Sequence, residues 1–289
     1  MKYRHSFHAG NFADVHKHVA LLALLRALQR KDKGLLYIDT HAGAGAYHLP
    51  PTAQQRHEAR QGIGMMAAAA PLCEELRDYR QAIVHWQQHS GDRDSYPGSP
   101  ALICQSLRPQ DRAVCCELLP SECRALERQL GGLRRVVVEC GDGYRALSSR
   151  LPALERRSLI LIDPPYEQPQ SESDQARAAL RVILARQSNA VVVLWYPIKN
   201  EAAGVGPWPI EGATVSALLR LELWVYPRDA RIGLNGSGLL IVNPPYRYGE
   251  RAREWQRELS QLLDPDGRGG SSVQSFEPAN ASQSHRVDA

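Results

Sequence analysis

Apolar and polar residues in DVHKHVALLALLRALQRK (14–31) alternate at helical spacing, with Val15, Val19 and Leu22 on one face. An aspartate suited to capping opens the run and basic residues suited to the negative end of a helix close it, which predicts a helix over 14–31. The pattern then changes period. GLLYID (34–39) is a continuous apolar run of strand length, and it breaks into the glycine-rich turn THAGAG. In the next stretch TAQQRHEARQGIGMMAAAA and LCEELRDYRQAIVHWQQH read as helices, the second with Leu72, Leu76, Tyr79, Ile83 and Trp86 along one stripe. Residues 47–96 are therefore read as a helical insertion.

After YPGSP and a short helix at about 100–107 come six strand-like segments: RAVCCEL, RRVVVECGD, SLILIDPPY, AVVVLWYPI, LRLELWVYP and GLLIVNPPY. Helical stretches at 120–131, 143–150, 173–187 and about 211–218 separate the first five, the βαβ rhythm of a parallel sheet. Between the last two lies RDARIGLNGSG, too short for a crossover helix, so these two should run antiparallel. The expected fold is α/β and Rossmann-like: a seven-stranded, mostly parallel sheet whose last strand is antiparallel. Residues 1–46 and 97–263 would form the main domain and 47–96 the inserted helical subdomain. The segment 264–289, rich in Gly, Ser, Asn and Gln, reads as a disordered tail.

Composition narrows this little. The chain has 289 residues, 43% of them apolar, enough for a real core. No apolar run approaches the about 18 residues of a membrane span, and MKYRHSFHAG lacks the apolar region of a signal peptide, so a cytoplasmic protein with no membrane partner is expected. Six cysteines show no CxxC pairing and read as small buried hydrophobes in a reducing compartment; no metal is expected, since His5, His8, His16 and His18 also lack an HExxH-type spacing. The formal charge of +4 permits an anionic partner without requiring one.

Candidate chemistry collects at strand ends. In DTHAGAG the glycines Gly43 and Gly45 let a ligand approach the backbone closely, but His48 stands where a dinucleotide fingerprint needs its third glycine, so NAD and FAD are disfavoured. Glu117 and Asp142 close the next two strands. Carboxylates there can accept ribose hydroxyls and an adenine amino group, which makes an adenosine pocket. In Asp163-Pro164-Pro165-Tyr166 the prolines hold the Asp163 carboxylate and the Pro164 carbonyl as two rigid acceptors suited to an exocyclic NH2, and Tyr166 supplies a ring on which a flipped base can stack. A near copy, NPPY, follows at 243–246. If its strand is antiparallel, Asn243 lies at the opposite sheet edge, about 17–20 Å away.

DTHAGAG, Glu117, GDG and DPPY in this order resemble class I S-adenosylmethionine-dependent methyltransferases that modify adenine N6. YRHSFHAGNFADVHKH and LNGSGLLIVNPPY, with the helical insertion, resemble the RlmJ family, the 23S ribosomal RNA adenine-2030 N6-methyltransferases, over roughly residues 1–262. The resemblance implies that His18, His41, Ser99, Glu117, Asp142 and Gly143 line the S-adenosyl-L-methionine site and that Asp163 is the catalytic group. It also implies that Tyr3 touches the RNA, with His5 and Lys17 near the target adenine. From the residues alone, His18 is more readily a satisfied core histidine, because it lies on the inward face of its helix. The implied partner is 23S ribosomal RNA, handled by a monomer. The alternative is a DNA adenine-N6 methyltransferase, disfavoured because no separate target-recognition domain is visible. Glutamine methylation is disfavoured by Asp in place of Asn at the DPPY strand, and a non-catalytic RNA-binding module by the complete set of site residues.

Overall fold

Short, almost uninterrupted apolar strands can be buried only if both faces of their sheet are covered, and the computed structural model shows that arrangement. It describes residues 8–49, 57–69, 72–199, 215, 217–227, 229–230 and 233–276. The main sheet contains β1 (Leu36–Asp39), β4 (Arg112–Glu117), β5 (Val136–Cys140), β6 (Ser158–Ile162), β7 (Val191–Ile198), β8 (Leu218–Trp224), β9 (Gly236–Val242) and β10 (Gly270–Phe276). Two three-residue strands, β2 (Ala46–His48) and β3 (Ser95–Pro97), pair with each other. The order across the main sheet is β10-β8-β9-β7-β6-β1-β4-β5.

β5, β4, β1, β6 and β7 are mutually parallel, whereas β9 runs antiparallel to both β7 and β8. The expected reversal of the seventh strand is thus present. One strand was not expected. Gly270–Phe276 pairs antiparallel along the whole of β8, from Gly270 opposite Trp224 to Phe276 opposite Leu218. The disordered tail predicted from residue 264 is corrected accordingly, and residues 277–289 lie outside the described part. Main-chain pairing to an exposed edge holds β10; its side chains, with Val273 and Phe276 the large apolar ones, are half-buried or exposed. The helix expected at about 211–218 falls largely outside the described residues, and its last residue, Leu218, opens β8.

The helices are α1 (Phe12–Gln29), α2 (Met65–Ala68), α3 (Glu74–Ser90), α4 (Ser99–Cys104), α5 (Pro120–Leu130), α6 (Gly143–Arg150), α7 (Pro169–Arg186) and α8 (Tyr248–Leu263). A π-helical turn, Arg60–Gly64, leads into α2. The Asn11 side chain caps α1, accepting the amides of Ala13 and Asp14. At the other end Arg108 and Arg157 donate to the carbonyls of Leu28, Gln29 and Lys31. The β2–β3 ribbon pairs the two ends of the stretch expected to be an insertion, and Leu76, Tyr79 and Ile83 of α3 join the same apolar core as α1 and the sheet. α7 covers the opposite sheet face together with Ala146 and Leu147 of α6.

Cys104, Cys115 and Cys116 are buried as expected, but Cys123 and Cys140 are joined in a disulfide with Cα atoms 5.6 Å apart. Sequence spacing did not suggest this pair, because α5 and β5 bring together residues 17 apart.

Candidate functional site

Parallel strands deliver their C-terminal ends to one sheet edge, and the loops there carry most of the expected site residues. After β1 the chain turns through His41–Gly45. Gly43 adopts φ +59°, and a Cβ there would run into the Tyr47 hydroxyl, so glycine is required by both conformation and space. The Gly43 amide donates to Glu117 Oε2 at 2.8 Å and the Leu119 amide to Glu117 Oε1 at 2.7 Å, which fixes the carboxylate at the end of β4. Burial raises the Glu117 pKa, while those two amides pull it the other way. Asp142 caps α6 through the Tyr144 amide at 2.9 Å. A Cβ on Gly143 would collide with the Thr40 carbonyl, so this glycine allows the loops after β1 and β5 to touch.

Beneath the turn sits Asp39, fully buried, accepting the hydroxyls of Ser99 at 2.7 Å and Tyr37 at 2.8 Å and the His41 amide at 3.2 Å. Burial lifts its carboxyl to a pKa of about 6 against the pull of those hydroxyls. Ser99 is therefore committed to holding Asp39. The His41 ring meets Tyr144 edge-on at 5.0 Å, and burial pushes it down to about 4 although the Asp163 and Asp142 carboxylates favour its charged form. Gly45 lends its carbonyl to the Gly98 amide at 2.9 Å, anchoring the turn to the start of α4.

Asp163 follows β6 on this edge, and its carboxylate receives Lys17 Nζ at 2.7 Å. Lys17 also pairs with Asp14 at 2.9 Å, and its ammonium lies 5.9 Å from the centre of the Trp195 ring. Burial alone would discharge this lysine, but the Asp14 and Asp163 carboxylates outweigh it and hold the ammonium charged. Pro164 is buried and Pro165 exposed. Tyr166, expected to offer its ring to a base, has its side chain turned inward in this structure. At φ +53° the chain folds its side chain inward, the residue is 4% exposed, and its hydroxyl donates to the Trp195 carbonyl at 2.8 Å.

β9 starts at the same edge, where Gly236 lies opposite Ile198. Ser237 accepts from Trp195 Nε1 at 3.0 Å and is hydrogen-bonded to His16 Nδ1 at 3.0 Å, so LNGSG joins the site to α1. Asn243 stands at the opposite edge, where its amide group donates to the carbonyls of Ser188 and Ala190 at 2.8 and 2.9 Å. His18 is fully buried and hydrogen-bonded to the Tyr96 hydroxyl at 2.9 Å, the surroundings of a core histidine. Tyr3 and His5 lie outside the described residues.

Sequence reasoning missed four residues. Asp39 stands in the turn motif, but nothing in the string shows its three donors. Asp14 reads as a helix cap, although its carboxylate lies on the lysine that meets Asp163. Trp195 looked like one more apolar strand residue. Leu118, 68% exposed directly after Glu117, gives an apolar surface beside a carboxylate suited to a sugar; an exposed leucine at a strand end was the available signal.

The strand order, the reversed β9, and the glycine turn facing acids on two neighbouring strand ends define a class I, Rossmann-like methyltransferase. A family model described as "Ribosomal RNA large subunit methyltransferase D, RlmJ" matches residues 32–276. The chain belongs to this family. It is 33% identical over 281 residues to "Ribosomal RNA large subunit methyltransferase J" of Haemophilus influenzae, covering 96% of this chain and 99% of the relative. To the Escherichia coli protein of the same name it is 35% identical over 275 residues, 94% of this chain and 98% of the relative. A solved Legionella pneumophila structure superposes with a TM-score of 0.80 at 32% identity, covering 94% of this chain and 99% of that one.

Proposed function

We propose that this enzyme transfers a methyl group from S-adenosyl-L-methionine to N6 of one adenine, of the position-2030 type, in 23S ribosomal RNA. The observation that carries the reading is the placement of Asp163-Pro164 at the end of β6, next to the β1 glycine turn and on the same edge as Glu117 and Asp142. The residues suit the donor: Gly43, Gly45 and Gly143 let the turn and its neighbouring loops pack tightly at this edge, Glu117 stands where ribose hydroxyls would lie, and Leu118 and Asp142 suit an adenine ring and its amino group. Ser99 and His41 are assigned to the same pocket, and His18 to its buried wall behind Tyr96. Bound there, the donor would supply an electrophilic methyl group on sulfur.

The protein's part is to hold the amine. Asp163 and the Pro164 carbonyl accept its two N–H bonds, direct the remaining electron pair outward, and stabilise the positive charge that grows on nitrogen. Lys17 occupies Asp163 in this state and must yield part of that carboxylate when the amine arrives, which makes Lys17 the gate between α1 and the substrate. Tyr166 keeps the Asp-Pro-Pro turn rigid through Trp195. Tyr3 and His5, just before α1 in the chain, are assigned to the RNA, and the enzyme is assigned to the cytoplasm as a monomer. A DNA substrate is not favoured, since the family and both full-length relatives carry ribosomal RNA names.

The test is methyl incorporation from a tritiated donor into total RNA lacking the modification, with the labelled nucleotide mapped. One adenine labelled by the wild type and none by Asp163→Ala supports the mechanism. An active Asp163→Ala enzyme, or label on DNA instead, defeats it.

A further inference from the structure

The Cys123–Cys140 disulfide lies outside the chemistry described above, yet it stands at the rim of the same edge. Cys140 is the last residue of β5, and Gly141 and Asp142 follow it directly. Cys123 lies in the first turns of α5, whose entrance is the Glu117–Leu119 loop. Four residues further along α5 is Glu127, and residues four apart share a helix face. Among the described residues, Cys123, Glu127 and Cys140 are the one place where three such ligand atoms converge, all within 4.8 Å of one another.

We infer that, when the disulfide is reduced, these three side chains form a site for a thiophilic divalent cation of the zinc class. In a tetrahedral site with Zn–S of about 2.3 Å and Zn–O of about 2.1 Å, ligand atoms stand about 3.6–3.8 Å apart. Cys140 Sγ and Glu127 Oε1 are already 3.8 Å apart, and opening the S–S bond lets the two sulfurs separate to the same spacing. Cys123 is buried while Glu127 and Cys140 are exposed, so the site has a dry floor, an entry path and an open fourth position for water. Thiolates suit zinc-like cations better than magnesium or calcium.

The two forms exclude each other. Reduction by a low-molecular-weight thiol puts two electrons and two protons into the S–S bond and leaves two Cys thiols, while two reductant molecules depart as their own disulfide. Cation binding then releases the two thiol protons to solvent. Either form ties the end of β5 to α5. The Gly141 amide donates to the Glu117 carbonyl at 3.0 Å, so the joint lies across the two loops that carry Glu117 and Asp142.

To test this, the full chain is reduced with a phosphine, freed of reductant without oxygen, and titrated with Cd2+ while the sulfur-to-metal charge-transfer absorption is followed. The expected result is a saturable band at one ion per chain, absent from the oxidised protein and from Cys140→Ser, whose replaced side chain is exposed and leaves the core untouched. Glu127→Gln should weaken binding by at least the roughly tenfold that loss of even an outer-shell partner costs. No saturable band in the reduced wild type overturns the site. A band that survives Cys140→Ser also overturns it, pointing instead to the buried Cys104–Cys115 pair, whose sulfurs lie 3.9 Å apart. Unchanged affinity in Glu127→Gln overturns the three-ligand set.

Discussion

Lys17 is charged between two carboxylates, with side-chain exposures of 5% for Lys17, 3% for Asp14 and 14% for Asp163. A buried ion pair broken from one side leaves an uncompensated charge, at a cost of about 3–5 kcal/mol. Lys17→Met should therefore lower the unfolding free energy obtained from urea titration by that amount, and adding Asp14→Asn should recover more than half of the loss; a double variant no more stable than the single would show that Asp14 does not carry the cost. His16 makes a second residue-level prediction. It is fully buried, and burial lowers its pKa to about 3. Burial outweighs the hydrogen bond with Gln256 that favours the charged ring. Because the unfolded chain takes up this proton near pH 6.5, the His16 contribution is complete above that pH and is lost as pH falls toward 3, on the order of 5 kcal/mol in all. Denaturation of wild type and His16→Asn at pH 7 and pH 4 should show a smaller pH dependence in the variant; equal slopes would refute it.

At the scale of elements, β10 protects the edge of β8. Gln256 of α8 donates to the carbonyls of Glu222 in β8 and Ser272 in β10, fastening helix and both strands together. A chain ending at Asp264 would expose β8 as an unpaired edge, with Leu219, Leu221 and Leu223 behind it. It should melt at a lower temperature and aggregate on heating, read by circular dichroism and light scattering. An unchanged melting temperature would mean that the edge is protected in some other way.

Across the whole molecule, strand direction separates chemistry from stability. Asp163 ends a parallel strand at the edge that carries the glycine turn, and Asn243 ends the antiparallel β9 at the far edge, bridging two carbonyls next to the start of β7. Asn243→Ala should keep methyl transfer while losing about 1–3 kcal/mol of stability, the cost of the buried Ala190 carbonyl left unpaired. Asp163→Ala should abolish transfer, with a stability loss below that of Lys17→Met because Asp14 still pairs with the Lys17 ammonium. Paired assays of transfer and thermal melting distinguish them, and a dead but stable Asn243→Ala enzyme would refute the assignment.

Local pattern by itself determined the parallel strands, the glycine turn, the acids that close successive strands and the short link that forces β9 to reverse. These features are legible because period, turn chemistry and connection length act between near neighbours in the chain. β10 was not legible, since an edge strand held by main-chain hydrogen bonds needs no apolar alternation. Tertiary structure alone decided that Asp14, Lys17 and Asp163 form one charged cluster, that Asp39 binds Ser99, that Tyr166 turns inward, and that Cys123 meets Cys140. Each depends on a contact between segments far apart in the chain, where side-chain direction and burial set the outcome and spacing along the sequence carries no record of either.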